Sequence, residues 1–304
     1  MKNNPVITPG RREFILTSLK AAGALTLFPG TIAASTGYIP SRREYRVQDL
    51  IDIILKEIPG APFPQTVDTI KAGSAGNQVS GIVTTMFATL EVIRATIKAG
   101  ADFIIAHEPT YYNHLDKLNY VPDNEIVKEK LSFLQQHNIT IWRFHDYWHS
   151  CKPDGIGYGV LRNMGWLDYY QAGRSILQIP GTNLGSLLSD LKQKLGIEHL
   201  RYIGDLSQPL SRIALLPGAA GGQTQISIVE KEKPDVLIVG ELSEWETAEY
   251  IRDARALGSK TTLVVLGHSV SEEPGMEWLV EWLRPKAPGL PITHIASGNP
   301  FSWV

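Results

Sequence analysis

The chain has 304 residues, of which 43% are hydrophobic and 20% are charged, a composition typical of a folded globular protein and not of a disordered or fibrous one. The formal net charge of -2 provides no field that would attract nucleic acid or an anionic membrane, so neither is expected as a partner. The single cysteine, Cys151, excludes an internal disulfide and disfavours a thiolate metal site. We interpret Cys151 as a small apolar residue and not as a reactive thiol.

Residues 1–36 have the features of an export signal and not of the fold. The motif Arg11-Arg12-Glu13-Phe14-Ile15-Leu16 resembles the twin-arginine signal, and a moderately apolar segment, Leu19–Ile32, follows it. Ala33-Ala34-Ser35 is a candidate cleavage region. The apolar segment is too short and too rich in glycine for a transmembrane helix, so we expect no stable membrane anchor. These features predict export of the folded protein to the periplasm or out of the cell; a basic amphipathic first helix is the less favoured alternative.

From Tyr45 onward, segments with helical spacing of apolar residues alternate with short buried runs that end at glycine. The first half is predicted to contain helix 47–55, strands 68–73 and 79–84, helix 86–100, strand 103–106, helix 124–137 and strand 140–144. The pattern gives way to a glycine-rich segment over 155–168. The second half is predicted to contain strand 175–179, helix 183–195, strands 201–203 and 213–216, helix 223–231, strand 235–240, helix 245–257, strand 262–266, helix 275–283 and strand 291–295. This repetition predicts an α/β fold with mainly parallel sheets flanked by helices.

Three of the predicted strands end in clusters of metal-binding residue types. Because ligands bind at the carboxyl edge of α/β sheets, side chains at neighbouring strand ends are expected to converge. The clusters supply five candidate metal ligands: His107, Glu108, His149, His268 and Glu272. Taken alone, a strand-end His next to a carboxylate is explained by a simple hydrogen bond. Five donors, however, exceed the needs of one tetrahedral site with an open position, which favours two ions bridged by a carboxylate and a water.

Two further groups of residues are assigned supporting roles. His145 and Asp146 are candidates for orienting the ligands, and Asp146 or Glu273 could move protons. A helix-start carboxylate such as Glu273 is also adequately explained by the helix dipole. The loop 110–123 contains three tyrosines that could line a pocket or pack over it.

Four segments of the chain resemble the NIF3-like family (YbgI-like proteins and GTP cyclohydrolase 1 type 2 homologues). They are the runs around Ala106-His107-Glu108-Pro109, around His145, around Val239-Gly240-Glu241, and from Gly267-His268 through Glu272 to Pro274-Gly275. The resemblance spans about residues 45–301. It implies two α/β lobes, a metal-site lobe of 42–170 with 265–304 and a second lobe of 171–264, with the metal site in the cleft between them. It also implies a dinuclear centre and a toroidal homo-hexamer.

At two positions the chain departs from the family's pattern. The family has a His-His pair where His107-Glu108 stands, and an Asp where His149 stands. One interpretation is a compensated exchange, since three imidazoles and two carboxylates are retained. The alternative is a change of metal identity or bridging geometry, because a carboxylate bridges two ions more readily than an imidazole does.

The sequence therefore predicts an exported, dinuclear metal-dependent hydrolase of a small molecule, with metal-bound hydroxide as the nucleophile. The expected cofactor is a pair of divalent transition-metal ions (Zn, Fe, Mn or Ni), and the substrate is a phosphoester, an ester or a cyclic amide. The alternative is a non-enzymatic oligomeric metal-binding or scaffold protein. A serine hydrolase has little support, since no Gly-x-Ser-x-Gly motif is present.

Overall fold

The computed structural model describes residues 44–172 and 174–304. The predicted export signal, residues 1–36, lies outside them. The strands are β1 (Ile70–Ala72), β2 (Ile82–Thr85), β3 (Phe103–Ala106), β4 (Thr140–Arg143), β5 (Ile176–Asn183), β6 (Arg201–Ile203), β7 (Pro209–Leu216), β8 (Val236–Val239), β9 (Thr262–Val265) and β10 (Ile292–His294). The α-helices are α1 (Val47–Leu55), α2 (Leu90–Lys98), α3 (Glu125–Gln136), α4 (Asp146–Ser150), α5 (Gly155–Met164), α6 (Leu184–Leu195), α7 (Gly222–Glu232), α8 (Glu249–Ala256) and α9 (His268–Leu283).

The strands form two mixed five-stranded sheets, which confirms the predicted α/β class with mainly parallel sheets. The first has the order β1-β4-β3-β2-β10, with β1 antiparallel at one edge and the other four strands parallel. The second has the order β5-β7-β8-β9-β6, in which β7, β8 and β9 are parallel and both edge strands are antiparallel. Every residue of the inner strands β2, β3, β4, β8 and β9 is buried, as expected for strands covered by helices on both faces.

Helix α9 is central to the arrangement because it follows β9 of the second sheet and packs against β2 and β10 of the first. It also crosses α5 at very short range. A Cβ on Gly159 would lie 2.4 Å from the carbonyl oxygen of Pro274, and one on Gly275 would lie 2.6 Å from Cα of Ile156. Only glycine permits this approach of two helix backbones. The crossing fixes α9, and with it His268, against α5.

Three helices begin where the sequence interpretation placed no helix start, and one of them is the short α4 after β4. Helix 275–283 was expected to start after Pro274, but α9 begins at His268 and contains Pro274 within it. The sequence was misleading here because proline is usually excluded from the interior of a helix. Helix α5 occupies the glycine-rich segment, where three glycines masked the pattern; its boundary residues, Asp154 as N-cap and Gly165 in the left-handed conformation, are ordinary helix signals.

No helix among the described residues is long and apolar enough to cross a membrane. Residues Arg42–Val304 form one compact unit. The division into lobes of 42–170 with 265–304 and of 171–264 stays a prediction.

Candidate metal centre

Three imidazoles form a nearly equilateral triangle at the carboxyl ends of β3 and β4. The ring centroids of His107 and His145 are 4.7 Å apart, those of His107 and His149 are 5.0 Å apart, and those of His145 and His149 are 4.8 Å apart. One nitrogen from each ring lies within 4.8 Å of the other two, so the three can hold one ion. His145 was predicted only as a supporting residue, and the structure places it among the residues that could hold a metal ion.

In each of these rings Nδ1 already has an acceptor. Nδ1 of His107 donates to the carbonyl oxygen of Phe144 over 3.1 Å, that of His145 to Asp146 over 2.8 Å, and that of His149 to Asp154 over 2.9 Å. These contacts fix the tautomer and leave Nε2 as the nitrogen available for an ion. A carbonyl or carboxylate behind a ligating imidazole is the usual support of a metal-binding histidine.

A second donor group consists of one imidazole and two carboxylates beside this triangle. Nε2 of His268 lies 3.2 Å from Oε1 of Glu108 and 3.3 Å from Oε2 of Glu272. Since His268 and Glu272 are four residues apart on α9, they share one face of the helix. Nδ1 of His268 lies 3.3 Å from Oε2 of Glu241, which orients this ring in the same way.

The two carboxylates of the second group also lie close to the imidazole triangle. Oε2 of Glu272 is 3.8 Å from Nε2 of His107, and Oε1 of Glu108 is 3.9 Å from Nε2 of His145. The structure therefore brings together all five predicted ligands together with His145. Because a carboxylate has two oxygens, either of these can contact both groups.

Buried polar atoms without partners lie at this point. Among the described residues, Nε2 of His107 has no hydrogen-bond partner although its side chain is fully buried. Oε2 of Glu272, 3.8 Å away and also buried, has no hydrogen bond beyond its ion-pair contact with His268 at 3.3 Å. Leaving such atoms unpaired costs on the order of 1–3 kcal/mol each. A cation between them would satisfy both, so the residues present fit a divalent metal ion.

The electrostatics favour a neutral ring on His107 and an ionised carboxylate on Glu108. Burial holds the pKa of His107 well below its ordinary value, so its ring is neutral. Burial would raise the pKa of Glu108, but the hydrogen bond from His268 and the surrounding imidazoles outweigh it and lower the pKa to about 2. Burial would lower the pKa of His268, but the contacts with Glu108, Glu241 and Glu272 outweigh burial and raise the pKa to about 12. A cation is thus favoured beside these carboxylates, either as a proton on His268 or as a metal ion.

The segment that carries His145 and His149 is held by a remote cap. Asp68 accepts hydrogen bonds from the backbone N–H groups of His145, Asp146 and Tyr147, over 2.8, 3.1 and 2.8 Å. These are free donors at the start of α4, which a carboxylate satisfies. The cap sets the turn that brings both histidines to His107.

The loop after His107 is fixed by a buried ionic cluster. Arg143, with no exposed side-chain surface, donates from Nε to the carbonyl oxygen of His107 over 3.1 Å, and its NH2 lies 3.7 Å from Oε2 of Glu108. Its NH1 lies 3.5 Å from Asp116, which is also paired with Lys71 over 3.2 Å. Arg143 therefore holds both the backbone and the carboxylate of the His107-Glu108 pair.

The two residues predicted to move protons have other partners. Asp146 contacts His145 through Oδ1, while its Oδ2 accepts from Thr66 and from the backbone of Val67. Among the described residues, Glu273 contacts Ser269 and His294 and does not contact the donor groups. Asp146 thus positions a ligand.

Two residues at the site were missed by the sequence interpretation. Glu241 lies two residues after the end of β8, so the strand-end argument that found His107 and Glu108 applies to it as well. Asp154 is the N-cap of α5, where it accepts from the N–H of Gly157 over 2.7 Å while it holds His149. In the sequence, the only indication of Asp154 is its position directly before a helix, and the glycines of that helix obscured the helical pattern.

Two cavities adjoin the centre. One of about 280 Å³ is lined by His149 and Glu272 together with apolar residues of α5. The other, of about 610 Å³, is lined by His268, Glu241 and the terminal residues 299–303. The centre is therefore open to small molecules from the side of His149 and from that of His268.

The model of the Duf34/NIF3 (NGG1p interacting factor 3) family matches residues 47–300. The chain belongs to this family. Among its relatives are proteins called GTP cyclohydrolase 1 type 2 homolog from Clostridium perfringens, 23% identical over 75% of this chain and 87% of the relative, and from Chlamydia pneumoniae, 23% identical over 76% and 90%.

Solved NIF3-related structures share the fold. The protein ybgI, described as of unknown function, aligns with a TM-score of 0.68 at 20% identity over 84% of this chain and all of its own. A Bacillus cereus protein related to NIF3 aligns with a TM-score of 0.68 at 15% identity over 86% and 99%. The predicted NIF3-like membership and fold class are confirmed.

Proposed function

We propose that this NIF3-family protein is an exported dinuclear metal-dependent hydrolase of a small molecule. The observation that carries the proposal is that a three-imidazole group, His107, His145 and His149, adjoins a second group that could hold a metal, His107, Glu108 and Glu272, whose carboxylates both contact His268. Since Nδ1 of His107 is bonded to a carbonyl, its single free nitrogen serves one ion. A second ion would take His268, Glu108 and Glu272, with one carboxylate shared between the two.

The donor types narrow the choice of metal. Imidazole nitrogen together with carboxylate oxygen suits Zn, Fe, Mn or Ni better than Ca or Mg, which prefer oxygen ligands. Such ions, when bound, lower the pKa of coordinated water and polarise a carbonyl or phosphoryl oxygen, which is the chemistry of hydrolysis.

Other residues of the chain hold the candidate ligands in position. Asp146, Asp154 and Glu241 each hold one ligating ring, and Arg143 holds the Glu108 carboxylate and the His107 backbone. We propose Asp146 as a positioning residue. Glu273 is proposed as a proton carrier only through Ser269 and His294, its partners in the structure.

Access to the centre favours catalysis over a purely structural role. The side chains of His145 and His149 are 23% and 33% exposed, and a cavity reaches Glu272. Structural metal sites are closed by protein ligands, whereas catalytic sites keep a position open to substrate. A scaffold protein whose ions only hold the fold together, one form of the alternative, would not need this access.

Export, hexamer formation and hydrolysis of a phosphoester, ester or cyclic amide belong to the proposal. The name of the clostridial relative refers to cyclohydrolase chemistry, which is also hydrolytic, but 23% identity does not bring GTP to this chain. Export rests on the motif from Arg11 to Leu16, and fractionation of cells expressing an Arg11→Lys, Arg12→Lys variant would test it. Retention of the variant in the cytosol is expected, whereas unchanged export would contradict this part.

The hydrolase is tested by assaying the metal-loaded protein on activated esters, amides and phosphoesters. Activity should vanish on chelation, return with metal, and be absent from His107→Ala and His268→Ala. A matched control is His137→Ala, since His137 lies at the end of α3 and outside the centre. Activity that survives chelation or both ligand substitutions would overturn the proposal.

A further inference from the structure

The cavity beside His149 and Glu272 is small, and most of its lining is apolar. It lies along α5 and is closed by the residues that follow β7. Its volume of about 280 Å³ is near the lower limit of small-molecule pockets, which run from about 300 to 1,000 Å³. A short alkyl chain or one aromatic ring is therefore the size of group that it can take.

The lining is apolar apart from the residues of the centre and one aspartate. Ile156, Leu161, Leu167 and Leu216 supply aliphatic surface, and Tyr158 and Tyr170 supply aromatic rings. No lysine or arginine is among the residues that line the cavity.

Two carboxylates, Asp154 and Glu272, lie in the wall of the cavity beside His149. A phosphate in the cavity itself would meet these carboxylates and no lysine or arginine among the described lining residues. An uncharged apolar group, by contrast, gains about 25 cal/mol for each Å² removed from water.

We propose that this cavity binds an uncharged alkyl or aryl group of the substrate and holds it next to the metal centre. The inference rests on the proposed function and narrows it: the substrate carries a short alkyl chain or one aromatic ring beside the bond that is hydrolysed at the centre, as in a carboxylic ester. Hydrolysis of such an ester consumes one water, forms a bond from its oxygen to the acyl carbon and breaks the bond between the acyl carbon and the alkoxy oxygen. One proton of the water goes to the leaving alcohol, and the other is released as the acid ionises.

Gly157 offers a way to fill the cavity without replacing a residue of the centre. It lies in α5, and the three atoms nearest to a Cβ placed on it belong to Asp154, at 3.5 Å and beyond. This is ordinary van der Waals contact, which does not require the Asp154 carboxylate to move away from His149. A side chain at this helical position also avoids the cost of glycine in a helix. Gly157→Leu should therefore fold and occupy the cavity, and Gly157→Ala is the matched control that adds a side chain without filling it.

The test measures the binding of straight-chain hydroxamic acids to the zinc-loaded protein by calorimetry. The hydroxamate group chelates metal, and the chain is the variable part. From acetohydroxamic to hexanohydroxamic acid, Kd should fall by about fourfold for each methylene that the cavity accepts. In Gly157→Leu the Kd should become independent of chain length while that of acetohydroxamic acid is unchanged, and Gly157→Ala should keep most of the wild-type dependence.

A second titration separates this inference from the metal site. 4-Propylphenol and propyl phosphate are added to the metal-free protein, since the cavity needs no ion to bind an apolar group. Binding of the phenol by the wild type, its loss in Gly157→Leu and weaker binding of the phosphate support the cavity even if acetohydroxamic acid finds no metal, which would sink the proposed function alone. Absence of phenol binding, equal binding of the phosphate, or chain-length dependence that survives in Gly157→Leu would overturn the inference.

Discussion

Gly218 is the residue whose substitution probes the centre without removing a ligand. It follows β7 with φ of +64°, and a Cβ built on it would lie 2.2 Å from Oε1 of Glu272 and 2.7 Å from Cδ. Both distances are below 3.0 Å, so Gly218→Ala forces the carboxylate to move. The backbone conformation itself costs an alanine about 1–2 kcal/mol.

The displaced carboxylate should weaken metal binding. Substitution of residues that orient metal ligands typically costs 10–100-fold in affinity, which corresponds to about 1.4–2.7 kcal/mol. We expect a loss of this size for zinc in Gly218→Ala, measured by competition with a chromophoric chelator. The metal-free variant should unfold with a free energy lower than that of the wild type by about the backbone cost alone.

The control is Gly196→Ala, which carries the same backbone cost. Gly196 also has φ of +64°, at the end of α6, but nothing lies within 4 Å of the Cβ position. This variant should lose stability and keep wild-type zinc affinity. Equal zinc affinities for Gly218→Ala and the wild type would refute the placement of Glu272 as a ligand held by this contact.

Three more predictions concern other parts of the chain. Glu108→His alone should weaken metal binding and the added His149→Asp should restore it if the two departures from the family pattern compensate each other; additive losses in the double variant would exclude compensation. Asp154→Asn should lower metal affinity about 10-fold through His149, whereas the similar helix cap variant Asn183→Ala, on α6, should leave it unchanged. Burial lowers the pKa of Lys130 from 10.5 to about 8, so between these pH values folding releases its proton. The free energy of unfolding should therefore rise with pH across this range, by at most about 3 kcal/mol. Chemical denaturation at several pH values should show a smaller rise for Lys130→Met than for the wild type.

The inner strands and most helices could be predicted because their signals are local. The run from Phe103 to Ala106 is apolar throughout and bounded by Gly100 and Pro109, and the structure places β3 at those four residues. Thr89, Asn124 and Asn183 each cap a helix with their side chains, again a local feature.

The candidate ligands were found from the sequence because strand ends in parallel sheets share one edge. Their roles were harder to predict, since these depend on contacts between distant segments. Asp68 caps α4 although more than 70 residues of chain separate them. Glu273 contacts His294, whereas the adjacent Glu272 faces the candidate metal centre. His145 could not be ranked above Asp146 without knowing which atoms face His107.

The central claim is that the chain holds two metal ions, one on the three imidazoles and one on His268 with the two glutamates. The most direct measurement is anomalous diffraction above and below the absorption edge of the bound metal, with elemental analysis of the same protein. The account predicts two anomalous peaks, of which His268→Ala removes the one beside Glu108 and Glu272 and leaves the one beside His145 and His149. A single peak in the wild type, or loss of both peaks in His268→Ala with the imidazole triangle intact, would contradict it.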